Sequence, residues 1–243
     1  TVAWAGLSRE DRWLLVEGAP EKLALQPGVP ARWRNRANRM LLAQELAALQ
    51  TLRDMGRLTE DEALPRLTGL KNLVAELERA EQLAATLPGH PPVHVLSPGL
   101  RMSGHAGFEV TTIVFGDVDT ADHTEITVAG RTDPELLRNG LDYAATLFDP
   151  SGKRASVVYL GAYEPSEAAG YGLIRDIAGM MEVQRHHRRG MSGLVVDALP
   201  DGRDIVDAAS NQAMMLPPDI EVGWGPALIP ARRMPITAHT IRA

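Results

Sequence analysis

Residues Gly116–Gly130 read GDVDTADHTEITVAG. Asp117, Asp119 and Asp122 behind a glycine suit a turn in which short carboxylates accept bonds from nearby backbone N–H groups. From Glu125 the composition changes to Ile126, Thr127 and Val128, and alternation with β-branched side chains predicts a strand over Glu125–Val128. Gly130 stops it. An acidic turn running into a short strand that ends at a glycine is the start of an α/β unit.

The pattern that follows supports this. A helix is predicted over Asp133–Phe148 and a strand over Ala155–Leu160. Strand, helix, strand implies a right-handed crossover and a parallel pair. Two further strands are expected upstream, Val93–Leu96 and Phe108–Phe115. Helices are expected at Pro165–Val183, weakened by Gly170, Gly172 and Gly179, and at Asp204–Met215. From Pro217 to the last residue, proline and glycine predict an extended arm, 217–243. No internal repeat or low-complexity tract is present.

Residues 1–90 read as a helical region. Ser8 suits an N-cap, with Glu10 and Asp11 in the first turn. A long helix is predicted from Ala31 to Met55, with Leu41, Leu42, Leu46, Leu49 and Leu52 at helical spacing. Thr59 and Glu62 form a capping-box pattern that opens a short helix limited by Pro65. A third helical stretch runs from Gly69 to Thr86. Pro88–Pro92 marks the boundary with an α/β region over 93–216. The expected fold class is α/β, with the helical region packed on a parallel sheet.

Composition bounds the function. The 243 residues are 44% hydrophobic and 23% charged, enough for a core without staples. The absence of cysteine excludes disulfides, thiolate metal sites and a cysteine nucleophile. The net charge of −6 disfavours binding to a nucleic-acid backbone. No apolar run approaches the roughly 20 residues of a membrane span. The N-terminal residues show no signal-peptide pattern, so a cytoplasmic or particle-associated location is expected. Lysine occurs only at Lys22, Lys71 and Lys153 while arginine is abundant, a bias common in GC-rich genomes.

Two motifs carry a family resemblance. The first is Trp4, then Gly28-Val29-Pro30-Ala31, then Arg34-Asn35-Arg36-Ala37-Asn38-Arg39. The second is the turn Gly116–Asp122, followed by Val128-Ala129-Gly130 and by Gly161-Ala162-Tyr163. In this order they resemble an actinobacterial family of uncharacterised α/β-hydrolase domains whose members are linked to type VII secretion modules. The resemblance covers Trp4 to Pro165, about two-thirds of the chain. It implies an α/β-hydrolase-like sheet. It also implies that Gly130, Arg131 and Thr132, in the loop after the first core strand, border the ligand pocket.

The chain departs from that family at its chemistry. An α/β-hydrolase presents its nucleophile on a G-x-S-x-G elbow, and no two glycines here lie four residues apart. Gly190-Met191-Ser192-Gly193 has the wrong spacing, so Ser192 is a weak nucleophile candidate and reads better as part of a surface turn. Asp204, Asp207 and His239 come late enough to serve as triad partners, but nothing in the pattern ties them to a nucleophile. Asp117, Asp119, Asp122 and His123 offer donors for a divalent cation. They lack the glycine and distal glutamate of a calcium loop, and read as Asx-turn formers. The run His186–Arg189 could hold an anion and reads better as a solvated helix end. Trp4, Trp13 and Trp33 read as packing residues. Gly99–Gly104 lacks the Lys-Ser/Thr of a phosphate loop.

These readings predict no cofactor and no metal. They favour a non-catalytic hydrolase-like protein acting as a binding or assembly component, with a protein partner or self-assembly. The alternatives are a serine hydrolase with an atypical nucleophile, and a structural protein of a virion or secretion assembly.

Overall fold

The computed structural model describes residues 4–98, 111–129, 134–149, 151, 153–160, 166–186, 193–198, 202–212, 222–224 and 239–241. The predicted crossover is its centre. Strand β3 (His123–Ala129) pairs in parallel with β4 (Arg154–Leu160), from His123 opposite Arg154 to Ala129 opposite Leu160. Helix α5 (Pro134–Leu147) joins them. On the other side of β3 lies β5 (Gly193–Ala198), also parallel, with Val128 opposite Ala198.

Two antiparallel strands precede this unit. β1 (Val93–Pro98) pairs with β2 (Thr111–Phe115), and β2 pairs with β4. All five residues of β2 are buried, as suits a strand between two others. The sequence-predicted strand began at Phe108, and 108–110 lie outside the described residues. Beyond β5 come two short strands, β6 (Val222–Trp224), parallel to β5, and β7 (His239–Ile241), antiparallel to β6. The described sheet is therefore ordered β1-β2-β4-β3-β5-β6-β7. The described parts of the 217–243 segment extend this chain's own sheet.

Alternation along the strands sorts the core into two layers. Tyr159, Val157, Ile126, Val128 and Val196 face helices α6 (Ser166–His186) and α7 (Arg203–Asn211), against Leu173, Ile177, Met181, Ile205 and Val206. Val158, Leu160, Ile113 and Phe115 belong to the opposite layer, with Leu137 and Leu141 of α5. That layer also holds Leu42 and Leu49 of α3 (Ala31–Asp54) and Leu67, Leu70, Leu73 and Leu77 of α4 (Glu60–Thr86). The N-terminal helices thus share a hydrophobic cluster with the sheet, and Pro88–Pro92 leads directly into β1. A third cluster joins α1 (Arg9–Gly18), α2 (Pro20–Ala24) and the start of α3. In it Trp33 meets Trp4 and Trp13 edge-on, at 5.5 and 5.2 Å between ring centroids.

Two local expectations are corrected. Pro65 does not end a helix: α4 runs through it from Glu60 to Thr86. Pro65 is exposed, so the carbonyl that loses its intrahelical donor can turn to solvent. Ala63, Leu67 and Leu70 meanwhile continue one buried stripe across it, and that packing outweighs the local break. Pro20 does not merely terminate α1. It starts the short helix α2, where its missing N–H costs nothing.

Polar groups lock α3 to the sheet. Arg34 is buried, and its guanidinium donates to Ala24 O at 3.2 Å, Leu96 O at 3.0 Å and Asp176 Oδ1 at 3.0 Å. Asp176, on α6, also accepts from Thr112 of β2 at 3.3 Å. Asn38 donates to Ala24 O and Val95 O, while Asn35 accepts from Val95 N. The arginine–asparagine motif is therefore the clamp between α3, β1 and α6. Asp176→Ala leaves a buried guanidinium without its counter-charge and is expected to cost roughly 3–5 kcal/mol in urea unfolding. Arg53→Ala, which breaks only the exposed pair with Glu60, is expected to cost at most about 1 kcal/mol.

Candidate functional site

In an open α/β sheet, ligands bind outside the carboxyl ends of the strands, where successive connections leave for opposite faces. The chain meets this condition between β3 and β5. After β3 the chain passes to α5, in one layer, and after β5 it passes to α7, in the other. The two strand ends are neighbours, Val128 opposite Ala198. The crevice between them is the candidate site.

The start of α7 is pressed into this crevice. A Cβ at Gly202 would collide with the carbonyl oxygen of Val128, so only glycine lets the helix begin against the end of β3. Gly202 closes the segment Ala198-Leu199-Pro200-Asp201-Gly202. Its spacing is that of a nucleophile elbow: a small residue, three residues, then a glycine in close backbone contact. The central position is Pro200, and the segment contains no serine, threonine or cysteine. Residues 199–201 lie outside the described residues. A search for paired glycines misses this segment because alanine holds the first position. A small residue at the end of a strand, with a glycine four residues later before a helix, would have found it.

The residues singled out in the sequence fall as follows. Gly130, Arg131 and Thr132 lie outside the described residues, in the connection from β3 to α5. Ser192 also lies outside them. The next residue, Gly193, opens β5 at its amino end, roughly 17 Å of strand from the crevice at about 3.3 Å per residue. His239 opens β7 and pairs with Trp224, with β6 between it and β5. Asp204 lies in the first turn of α7. No described contact brings Asp204, Asp207 and His239 together.

One acid near the crevice was not singled out. Asp197 precedes the end of β5 by one residue, is fully buried, and neither carboxylate oxygen has a partner among the described residues. It sits opposite Thr127, whose buried hydroxyl is likewise unpartnered among them. Burial, and secondarily the charge of Glu125, pushes the Asp197 carboxyl up to about 6.

The acidic turn has a structural task. Asp117 accepts from Asp119 N at 3.0 Å, which is the Asx-turn geometry expected for it. Asp119 Oδ2 accepts from Ala31 N at 2.8 Å, at the start of α3. Pro30, the N-cap, makes no side-chain cap of its own, so the turn supplies the carboxylate that the helix start favours. Gly28 takes a left-handed φ of 79° just ahead of it. Gln184 of α6 holds the turn from behind by donating to Val118 O and Ala121 O. No group of three or more histidine, aspartate or glutamate side chains among the described residues is arranged to hold a metal ion.

No protein-family model matches the chain. It is similar to an uncharacterised Mycobacterium tuberculosis protein, seen as MT2140 in strain CDC 1551 and as Rv2079 in strain H37Rv. In each case identity is 26% over 184 residues, covering 68% of this chain. The chain spans 28% of the length of those relatives.

The Asp119 contact makes a pH prediction. Burial, and then the charge of Asp117, pushes its carboxyl up to about 7, above its value near 4 in an unfolded chain. The folded state thus holds its proton longer than the unfolded state. The contribution is fully present below about pH 4 and is lost as pH rises to about 7. Asp119→Asn keeps an acceptor for Ala31 N and removes the titration. Urea midpoints measured from pH 4 to 8 are expected to decline less in this variant than in the parent.

Proposed function

We propose that this chain is a non-catalytic relative of the α/β hydrolases, working as a binding or assembly component. The observation that carries this reading is the β5–α7 junction. The close-packed glycine of an elbow is kept at Gly202, while the position where a hydrolase places its nucleophile holds Pro200. The strand order supports the kinship: β2 lies antiparallel beside β1 and β4, followed by the parallel row β4-β3-β5-β6, the arrangement expected of that fold.

The replacement bears on chemistry twice. Proline has no hydroxyl to attack a carbonyl. An elbow also supplies an oxyanion-hole N–H from the residue after the nucleophile, and one such donor is worth about 3 kcal/mol of transition-state stabilisation. Ser192 would have to replace both from the amino end of β5. In this reading the crevice keeps a binding role, and Gly130, Arg131 and Thr132 border its occupant. Arg131 gives it a preference for anions. Similarity over part of a much longer relative is consistent with one module of a larger protein. No described helix is long and apolar enough to cross a membrane.

The test is hydrolysis of short p-nitrophenyl esters by the purified protein. No turnover above the buffer rate is expected. Turnover that disappears in Ser192→Ala would replace this reading with that of a serine hydrolase with an atypical nucleophile.

A further inference from the structure

A second surface, remote in sequence from the crevice, is built for an anion. Helices α1 and α3 form a groove of about 510 Å³ lined by Arg9, Arg12, Trp13, Arg32, Trp33 and Arg36. Arg9, Arg32 and Arg36 are exposed, whereas Trp33 is buried beneath them. The helical spacings Arg9 to Trp13 and Arg32 to Arg36 put these side chains on facing sides of the groove.

The charges there are poorly balanced. The only carboxylate bridged to the four guanidinium groups, among the described residues, is Glu17, 3.5 Å from Arg36 across an exposed pair. Such a pair is weak. Arg12 donates to the carbonyls of Trp4 and Ala5 at 3.3 and 3.4 Å, and its Nε, like Trp33 Nε1, is buried without a partner among the described residues. A chain of net charge −6 thus concentrates four positive charges on one short groove. Unpaired guanidinium forks recognise carboxylates in a bidentate way.

The aromatic groups narrow the choice of occupant. Arg36 lies over the Trp13 ring at 4.0 Å and Arg32 over Trp33 at 5.8 Å. Those ring faces are taken by the protein's own arginines and are not open for base stacking, the interaction on which single-stranded nucleic acid depends. What remains is an apolar floor between cationic walls. Tryptophan and arginine are also the residue types enriched in the energetic centres of protein interfaces.

We propose that this groove docks an acidic peptide segment of a partner protein, with its carboxylates on Arg9, Arg12, Arg32 and Arg36 and an aliphatic side chain on the tryptophan floor. The inference stands on the groove alone and holds whether or not the crevice is catalytic.

The probe is a short fluorescein-labelled peptide of alternating glutamate and leucine, read by fluorescence anisotropy against the intact chain. Binding is expected at low salt and should weaken as salt is raised. Affinity should fall on the order of tenfold or more in Arg9→Glu/Arg32→Glu, as charge complementarity requires. It should be unchanged in Arg57→Glu, whose side chain is exposed and does not line the groove. A matched glutamine–leucine peptide should bind far more weakly. The milder Arg9→Gln/Arg32→Gln variant, checked by thermal unfolding, separates loss of binding from loss of fold. No binding to the parent protein, equal affinity in the folded groove variants, or tighter binding of a single-stranded RNA oligonucleotide would each overturn the proposal.

Discussion

A guanidinium can be buried only where acceptors surround it, and the architecture depends on the site where Arg34 meets that condition. Its side chain and that of Asp176 are 3% and 4% exposed. The acceptors come from α2, β1 and α6, and the farthest is 142 residues away along the chain. Sliding α3 by one turn would strand every one of these bonds at once, at the high cost of an unpaired buried charge. This constraint fixes the N-terminal helices on the edge of the sheet. It also sets the start of α3 where Asp119 reaches Ala31 N. The two family-like motifs are thereby one structural unit, the second capping the helix that carries the first.

The same frame explains how a hydrolase-like fold can persist without hydrolase chemistry. The crevice between β3 and β5 follows from the connections, which leave for opposite layers of the core. Its shape requires a close approach of α7 to β3, and Gly202 permits that approach. Neither requirement needs a serine. Asp197 remains buried beside this point with no described partner, a costly arrangement for an ionised carboxylate. That cost accounts for its raised pKa.

Much of the fold was legible because local patterns and tertiary packing agreed. The alternation in Ile126-Thr127-Val128, the leucines of α3 and the crossover helix between β3 and β4 each specify an element, and the parallel pairing follows from handedness. Pro65 misled because a local breaker was outweighed by a buried stripe that continues on both sides of it. The clamp was invisible because Arg34 and Asp176 belong to elements distant in sequence, and a buried arginine reads like any other until its partners are known. The site was half legible. The missing elbow was evident, but its position was not, since only the strand order shows that the junction after β5 lies at the crevice. The clustering of Arg9, Arg12, Arg32 and Arg36 likewise arises from packing α1 on α3.

The central claim is that the hydrolase-like frame holds no activated serine. Labelling of the folded protein with a fluorophosphonate, followed by intact-mass measurement, addresses it most directly, because such probes modify serines whose nucleophilicity has been raised by a base and an oxyanion hole. The account predicts an unmodified mass under conditions that fully label a control serine hydrolase. A stoichiometric adduct mapping to one serine, lost when the protein is unfolded before labelling, would contradict it.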